Sequence, residues 1–330
     1  MANRIFADER GGVLVLRIDD TDPTRVVPGG EAAIMEDLAW LGVAWDDGPY
    51  RQSVRADVYA DAAERALGGG AVHDADGSIR LEGTTLVRAD GSATYQLATV
   101  VDDLELGITH VIRGSDHRPN EPVHRRIAVA LGGTFPEVIH HGLVLGDDGK
   151  KLSKRHGHQV ATLAELRDEG IPGRAARTYL EELDLPRHDI HLDLGRVRRL
   201  AIEAIEAMPD NELADAAGAP LEAVPALRGA RTLVEAAEIA QQIVGVPVVV
   251  LAEDARPTID RFVELREAAG EHLDSDAARS IIRELKAVGG DLKALRLALT
   301  GAERGPELAA VVTALPRDEA VRRAAAALSG

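Results

Sequence analysis

The apolar residues of the first 145 or so positions change their spacing several times, and beyond Lys154 they stop doing so. Val13–Ile18 is a nearly continuous apolar run between Gly11–Gly12 and Asp19–Asp22, the pattern of a buried strand. Ile34, Leu38 and Leu41 recur at helical spacing until Gly42, and a second helix covers about 56–67 before Gly68–Gly70 stop it. Residues 71–100 alternate short polar and apolar runs between Gly and Asp turns, as in a small β insertion. Ile108–Arg113 and Val138–Leu145 have the character of strands, with a helix near Glu121–Leu131 between them. This alternation predicts a parallel sheet with crossover helices. Residues 160–240 and 256–330 are helical in character, with breaks at 171–173, 185–188 and 218–225. The fold class expected is therefore an α/β domain followed by an all-α region.

Composition narrows the function. A chain of 330 residues, 45% hydrophobic, can bury a large core in two or more domains. The longest strongly aliphatic patch, Val246–Leu251, is interrupted by a proline and is too short to cross a bilayer. The N-terminus has no secretory apolar core, and cysteine is absent, so disulfides and thiolate zinc sites are excluded. A soluble cytoplasmic protein is the expectation. The net charge of −17 argues against loose attachment to nucleic acid or membrane. Local basic patches remain at Arg113/Arg118/Arg125/Arg126, Lys150–Arg155, Arg196/Arg198/Arg199 and Lys286/Lys293/Arg296.

Four segments can carry chemistry. Lys150–Gly157 (KKLSKRHG) follows a Gly–Asp–Asp–Gly turn. Its ammonium groups and hydroxyl suit a polyphosphate whose charge is building up, with solvated surface as the even alternative. Arg17–Asp22 (RIDDTD) stands at the carboxyl end of the first strand, where open parallel sheets bind ligands. Its carboxylates could take an ammonium, a hydroxyl or a metal ion, or could simply cap a turn. Arg113 ends a later strand, where its guanidinium can clamp a carboxylate or pair with Asp102 or Asp103. His117 either contacts a base or caps the next helix, and the Tyr95 hydroxyl needs a partner that could be substrate or structural. The histidine pairs 110/117, 140/141 and 156/158 lack ligand spacing, so no metal site built from protein cysteines or histidines is expected.

Taken in order, RIDDTD (17–22), LAWLGVAWDDGPYRQS (38–53), TYQLATVVDD (94–103), GITHVIRGSDH (107–117) and KKLSKRHG (150–157) resemble glutamyl-tRNA synthetase. This is a class I aminoacyl-tRNA synthetase with a Rossmann-type parallel-sheet catalytic domain. LKALRLALTGAERGPELAAVV (292–312) resembles its anticodon-binding helical region. The resemblance implies a catalytic domain at 1–155 with a short acceptor-stem-type insertion at about 55–100. It implies a stem-contact helical region at 156–215 and a helical anticodon-binding domain at 216–330. It further implies a monomeric glutamate–tRNA ligase using ATP with Mg2+, with L-glutamate and tRNA(Glu) as partners, while the lack of the cysteines that some members use points to no zinc. By the same resemblance Lys151, Ser153 and Lys154 are catalytic in the phosphate loop. Arg155, His117, Leu143 and Val144 join Lys151 and Lys154 around the nucleotide. Asp19 takes the substrate α-ammonium, Tyr95 lines the pocket, and Arg113 holds the side-chain carboxylate, rejecting the neutral amide of glutamine. Arg196, Arg198 and Arg199 are candidates for tRNA contact.

The chain departs from the family in three places. Asp19 stands where the family usually has the glutamate of RIEDTD, one methylene longer. The family's first strand, a substrate-binding arginine and its His-x-Gly-His motif are not found, and Asn3–Glu9 resembles the tail of the helix that motif opens. The expectation is a reading frame that continues upstream of Met1. The connection from Gly68 to Thr94 is much shorter than the family's insertion. A shortened, catalytically inactive tRNA-binding paralogue or gene fragment is the alternative. An enzyme that glutamylates another acceptor is a third reading, against which residues 200–330 argue.

Overall fold

The structure, a computed structural model, describes residues 1–146, 149 and 162–328. It divides into two compact units, residues 1–160 with 177–193 and residues 161–176 with 194–330. The elements run α1 (Ala2–Glu9), β1 (Val15–Ile18), α2 (Gly30–Trp40), β2 (Asp47–Arg51), α3 (Ala56–Gly68) and the short strands β3 (Val72–His73), β4 (Ile79–Leu81) and β5 (Thr84–Val87). Then follow α4 (Tyr95–Glu105), β6 (His110–Gly114), α5 (Glu121–Ala130), β7 (Glu137–His141) and β8 (Val144–Leu145). Helices α6 (Leu163–Asp168) and α7 (Gly173–Leu183) precede β9 (Ile190–His191) and α8 (Leu194–Glu206).

The expected parallel pairing is present in the first unit. Val15 of β1 faces Asp47 and Ile18 faces Arg51 of β2. His110 through Gly114 of β6 face Glu137 through His141 of β7. A third parallel pair joins β8 to β9, and β3–β5 form an antiparallel meander. These are separate ladders rather than one sheet, because among the described residues no strand pairs with the second edge of β1 or β6.

Two expected segments are corrected. Val138–Leu145 is not one strand: it breaks at Gly142, whose N–H donates to the Pro186 carbonyl at 2.6 Å. A Cβ on Gly142 would lie 2.0 Å from the His188 carbonyl oxygen, so only glycine permits this approach. The β character of 71–100 ends at Ala93, which bridges back to Val87 of β5. Thr94 then opens α4, its hydroxyl accepting the Leu97 N–H at 3.5 Å. Once helical, α4 buries Leu97, Ala98, Val100 and Val101 against Ala62, Ala66, Ile127 and Phe135, and that burial outweighs the β preference of its valines.

The second unit is helical, from α6 and α8 to the final helix Arg317–Ala326. Its core includes Ile259, Phe262, Leu285 and Leu295. Two buried arginines donate to carbonyls: Arg266 to Gly270 and Glu271 at 2.6 and 2.8 Å, and Arg323 to Leu299 and Ile243, both at 2.8 Å. Among the described residues no helix is long and apolar enough to cross a membrane.

Candidate functional site

The RIDDTD segment splits into three local roles as it leaves β1. Asp22 caps a single 3-10 turn by accepting the Thr24 N–H at 3.1 Å and its hydroxyl at 2.7 Å. Asp20 accepts the Ser53 N–H at 2.8 Å and hydroxyl at 2.6 Å, tying the end of β1 to the segment after β2. Asp22 fits the capping alternative, whereas Asp20 makes a long-range tie. Asp19 instead accepts from Arg17 Nε at 2.7 Å, and the two residues line a cavity of about 1060 Å3.

Helix α4 supplies the anions behind that cavity. Asp102, 0% exposed, accepts from Gln52 Nε2 at 2.9 Å, Arg55 Nε at 2.9 Å and the Tyr59 hydroxyl at 3.0 Å. Asp103 accepts from Arg17 Nη1 at 2.7 Å. Burial pushes the Asp103 carboxyl up, against the pull of Arg17. The carboxylates that were alternative partners for Arg113 are thus engaged by Arg17 and Arg55.

Arg113 therefore keeps its fork. Nη1 meets His124 Nδ1 at 3.4 Å, while Nε and Nη2 are buried with no hydrogen-bond partner among the described residues. Leaving such donors unpaired is costly, which marks a place for an anion. His124, 0% exposed, packs edge-on to Phe135 at 5.4 Å and beside Tyr95 at 6.0 Å. Burial, then the Arg113 charge, lowers its pKa from 6.5 to about 4, so the neutral ring can accept the Arg113 N–H. Burial, then Asp19, raises the Tyr95 phenol. The sequence reading passed over His124. Its one signal was a polar residue three and four positions before Ile127 and Ala128, on the buried face of α5.

Asp19, Tyr95 and Arg113 line the large cavity together with Arg17, Thr99 and Asp103. An unpaired cation and a carboxylate on one cavity suit a zwitterion with an acidic side chain. A second cavity of about 330 Å3 is lined by Arg113, Gly114, Asp116, His117, His141, Leu143 and Val144, so the described nucleotide candidates also converge. A Cβ on Gly114 would crowd Asp116 Oδ1 at 2.6 Å and Leu143 Cδ2 at 2.9 Å, so a larger residue there would displace those side chains. Lys151, Ser153, Lys154 and Arg155 lie outside the described residues. Arg196 and Arg198 belong to α8 in the second unit and pair with Glu203 at 3.2 Å and Glu169 at 3.4 Å. Arg199, on the same helix, is exposed.

Residues 1–78 and 73–192 match the family model for tRNA synthetases class I (E and Q), catalytic domain. Glutamate–tRNA ligase 1 of Rubrobacter xylanophilus is 33% identical over 400 residues, spanning 97% of this chain and 91% of that protein. The glutamate–tRNA ligase of a Caulobacter species is 29% identical, again spanning 97% and 91%. The crystal structure of a glutamate tRNA ligase from Elizabethkingia meningosepticum, in complex with its amino acid, shares the fold with a TM-score of 0.76 at 20% identity, over 99% of this chain and 94% of that one. Residues 1–192 thus form the catalytic domain of a class I tRNA synthetase. Within that class, the chain belongs to the glutamyl-tRNA synthetase family. The 400 aligned positions exceed the 330 residues of this chain, so the Rubrobacter protein carries internal segments lacking here, in keeping with the short connection between α3 and α4.

Proposed function

We propose that this protein is a glutamate–tRNA ligase: it activates L-glutamate with ATP to glutamyl-adenylate and passes the glutamyl group to the 3′ end of tRNA(Glu). The observation that carries this reading is Arg113, whose Nε and Nη2 are buried with no hydrogen-bond partner among the described residues, on a cavity shared with Asp19. Arg113 grips the side-chain carboxylate bidentately, whereas a glutamine amide would turn N–H groups toward N–H groups. Asp19 receives the α-ammonium and Tyr95 closes the pocket between them. His117, Leu143 and Val144 hold the nucleoside part of ATP. Lys151, Ser153, Lys154 and Arg155 meet its phosphates.

An oxygen of the α-carboxylate attacks the α-phosphorus, and pyrophosphate leaves. The terminal ribose hydroxyl of tRNA then attacks the activated carbonyl, and AMP leaves. Both steps rest on positioning and on cations aimed at developing charge. Mg2+ neutralises phosphate charge when it arrives bound to ATP. Residues 156–215 contact the tRNA stem and 216–330 the anticodon, with Arg196, Arg198 and Arg199 on the phosphates, and the protein works as a monomer in the cytoplasm.

The test is tRNA-dependent ATP–pyrophosphate exchange with L-glutamate and L-glutamine, followed by charging of purified tRNA(Glu) and tRNA(Gln). Exchange and charging with glutamate are expected. tRNA binding without exchange would select the inactive paralogue instead.

A further inference from the structure

Asp19 is the first residue beyond β1, its side chain is 41% exposed, and it is one methylene shorter than the glutamate of the resembling motif. A short carboxylate at the end of a strand has several rotamers open to it, and each one it samples weakens its hold on an ammonium. One neighbour restrains it. Arg17 sits two residues earlier on the same face of β1, with its side chain 18% exposed. Its guanidinium bonds Asp19 Oδ1 through Nε and Asp103 Oδ1 through Nη1, each at 2.7 Å. Asp103 is itself fixed, since α4 is pinned by the neighbouring Asp102, which takes Gln52, Arg55 and Tyr59. Burial opposes the Arg17 charge, but Asp19 and Asp103 more than offset it and raise its pKa.

We propose that Arg17 is a positioning residue: anchored on Asp103, it holds one oxygen of Asp19 so that the other meets the ammonium of the amino-acid substrate. The role rests on the glutamate reading above. Because the planar fork gives one N–H to each carboxylate, a lysine replaces it only as a point charge. Without Arg17, Asp103 and Asp19 lose their shared cation and repel each other, and Asp19 swings away from the ammonium position. Arg113 and the nucleotide cavity are untouched by that change.

The experiment uses the full chain with Arg17→Met, Arg17→Lys and Asp103→Asn. It measures KM for L-glutamate and for ATP in tRNA-dependent exchange, and inhibition by glutarate, which has both carboxylates and no ammonium. Arg17→Met should raise the glutamate KM by about tenfold or more, leave the ATP KM within about twofold, and leave glutarate inhibition nearly unchanged. The preference for glutamate over glutarate then collapses, and Arg17→Lys recovers part of it. A folded Arg17→Met protein with wild-type glutamate KM overturns the proposal. So does glutarate inhibition that weakens in step with glutamate, since that is a collapsed pocket. If Arg17→Met does not fold, Arg17→Lys and Asp103→Asn decide on the same readouts. Calorimetry of L-glutamate on the unaltered protein separates the two claims. No binding there sinks the glutamate reading, whereas normal binding with no effect of the Arg17 changes sinks the positioning role alone.

Discussion

Acid should destabilise the first unit through a single imidazole. His124 is 0% exposed, and burial followed by the Arg113 charge holds its pKa at about 4 against an ordinary 6.5. As pH falls through 6.5 the unfolded chain takes up a proton that the folded chain refuses until near 4. Stability attributable to this ring is therefore lost across that window and regained as pH rises through it. One pKa unit corresponds to about 1.4 kcal/mol, so moving from about pH 7 to about pH 4.5 should cost about 2.5 kcal/mol at this site. The chain has two tryptophans, Trp40 and Trp45, and both belong to the first unit, so their fluorescence in urea follows that unit's unfolding. The comparison protein is His124→Asn, which does not titrate and whose Oδ1 can accept the Arg113 N–H in place of Nδ1. Carboxylate titrations are common to both proteins and cancel. The loss of stability between the two pH values should be smaller in the variant by about 2.5 kcal/mol. Profiles parallel to within about 0.5 kcal/mol would refute the buried neutral ring.

Arg113→Met removes the unpartnered fork and should raise the glutamate KM in exchange about a hundredfold or more, with far less change for ATP. An unchanged glutamate KM would show that the carboxylate binds elsewhere. Asp102→Asn strips the charge that Arg55, Tyr59 and Gln52 converge on, and should cost about 3 kcal/mol in the same urea assay. A loss below about 1 kcal/mol would show the network to be dispensable. Gly69→Ala would put a Cβ 2.0 Å from the Ala130 carbonyl oxygen, where only backbone can yield. It should lower stability by about 2 kcal/mol, and a wild-type urea midpoint would show that α3 and α5 can part without penalty.

The elements legible from the chain were those whose cause is local. β1 follows from an apolar run between glycine and aspartate stops, and α2, α3 and α5 from spacing closed by glycine or by loss of period. The errors fell where neighbours distant in sequence intervene. Nothing between 138 and 145 announces that Gly142 lies against the His188 carbonyl, and two-residue β9 exists only because β8 pairs with it. The site was legible to the same degree. Asp19 and Arg113 could be nominated from residue type at strand ends, and Tyr95 from its place ahead of the Arg113 strand, and one cavity is lined by all three. Their electrostatic partners could not be nominated, because Asp102 or Asp103 could serve Arg17, Arg55 or Arg113 equally well on paper.

Spacing and residue order along the chain were enough to set an α/β unit before a helical one and to bring out the five motifs of the synthetase family, since periodicity and chemical type are written position by position. Pairing among buried charges is a property of distance in a low-dielectric interior, which no local pattern encodes. Packing of α4 against α3 and α5 gave Asp102 to Arg55 and Asp103 to Arg17. It also left Arg113 beside a neutral histidine with its donors open.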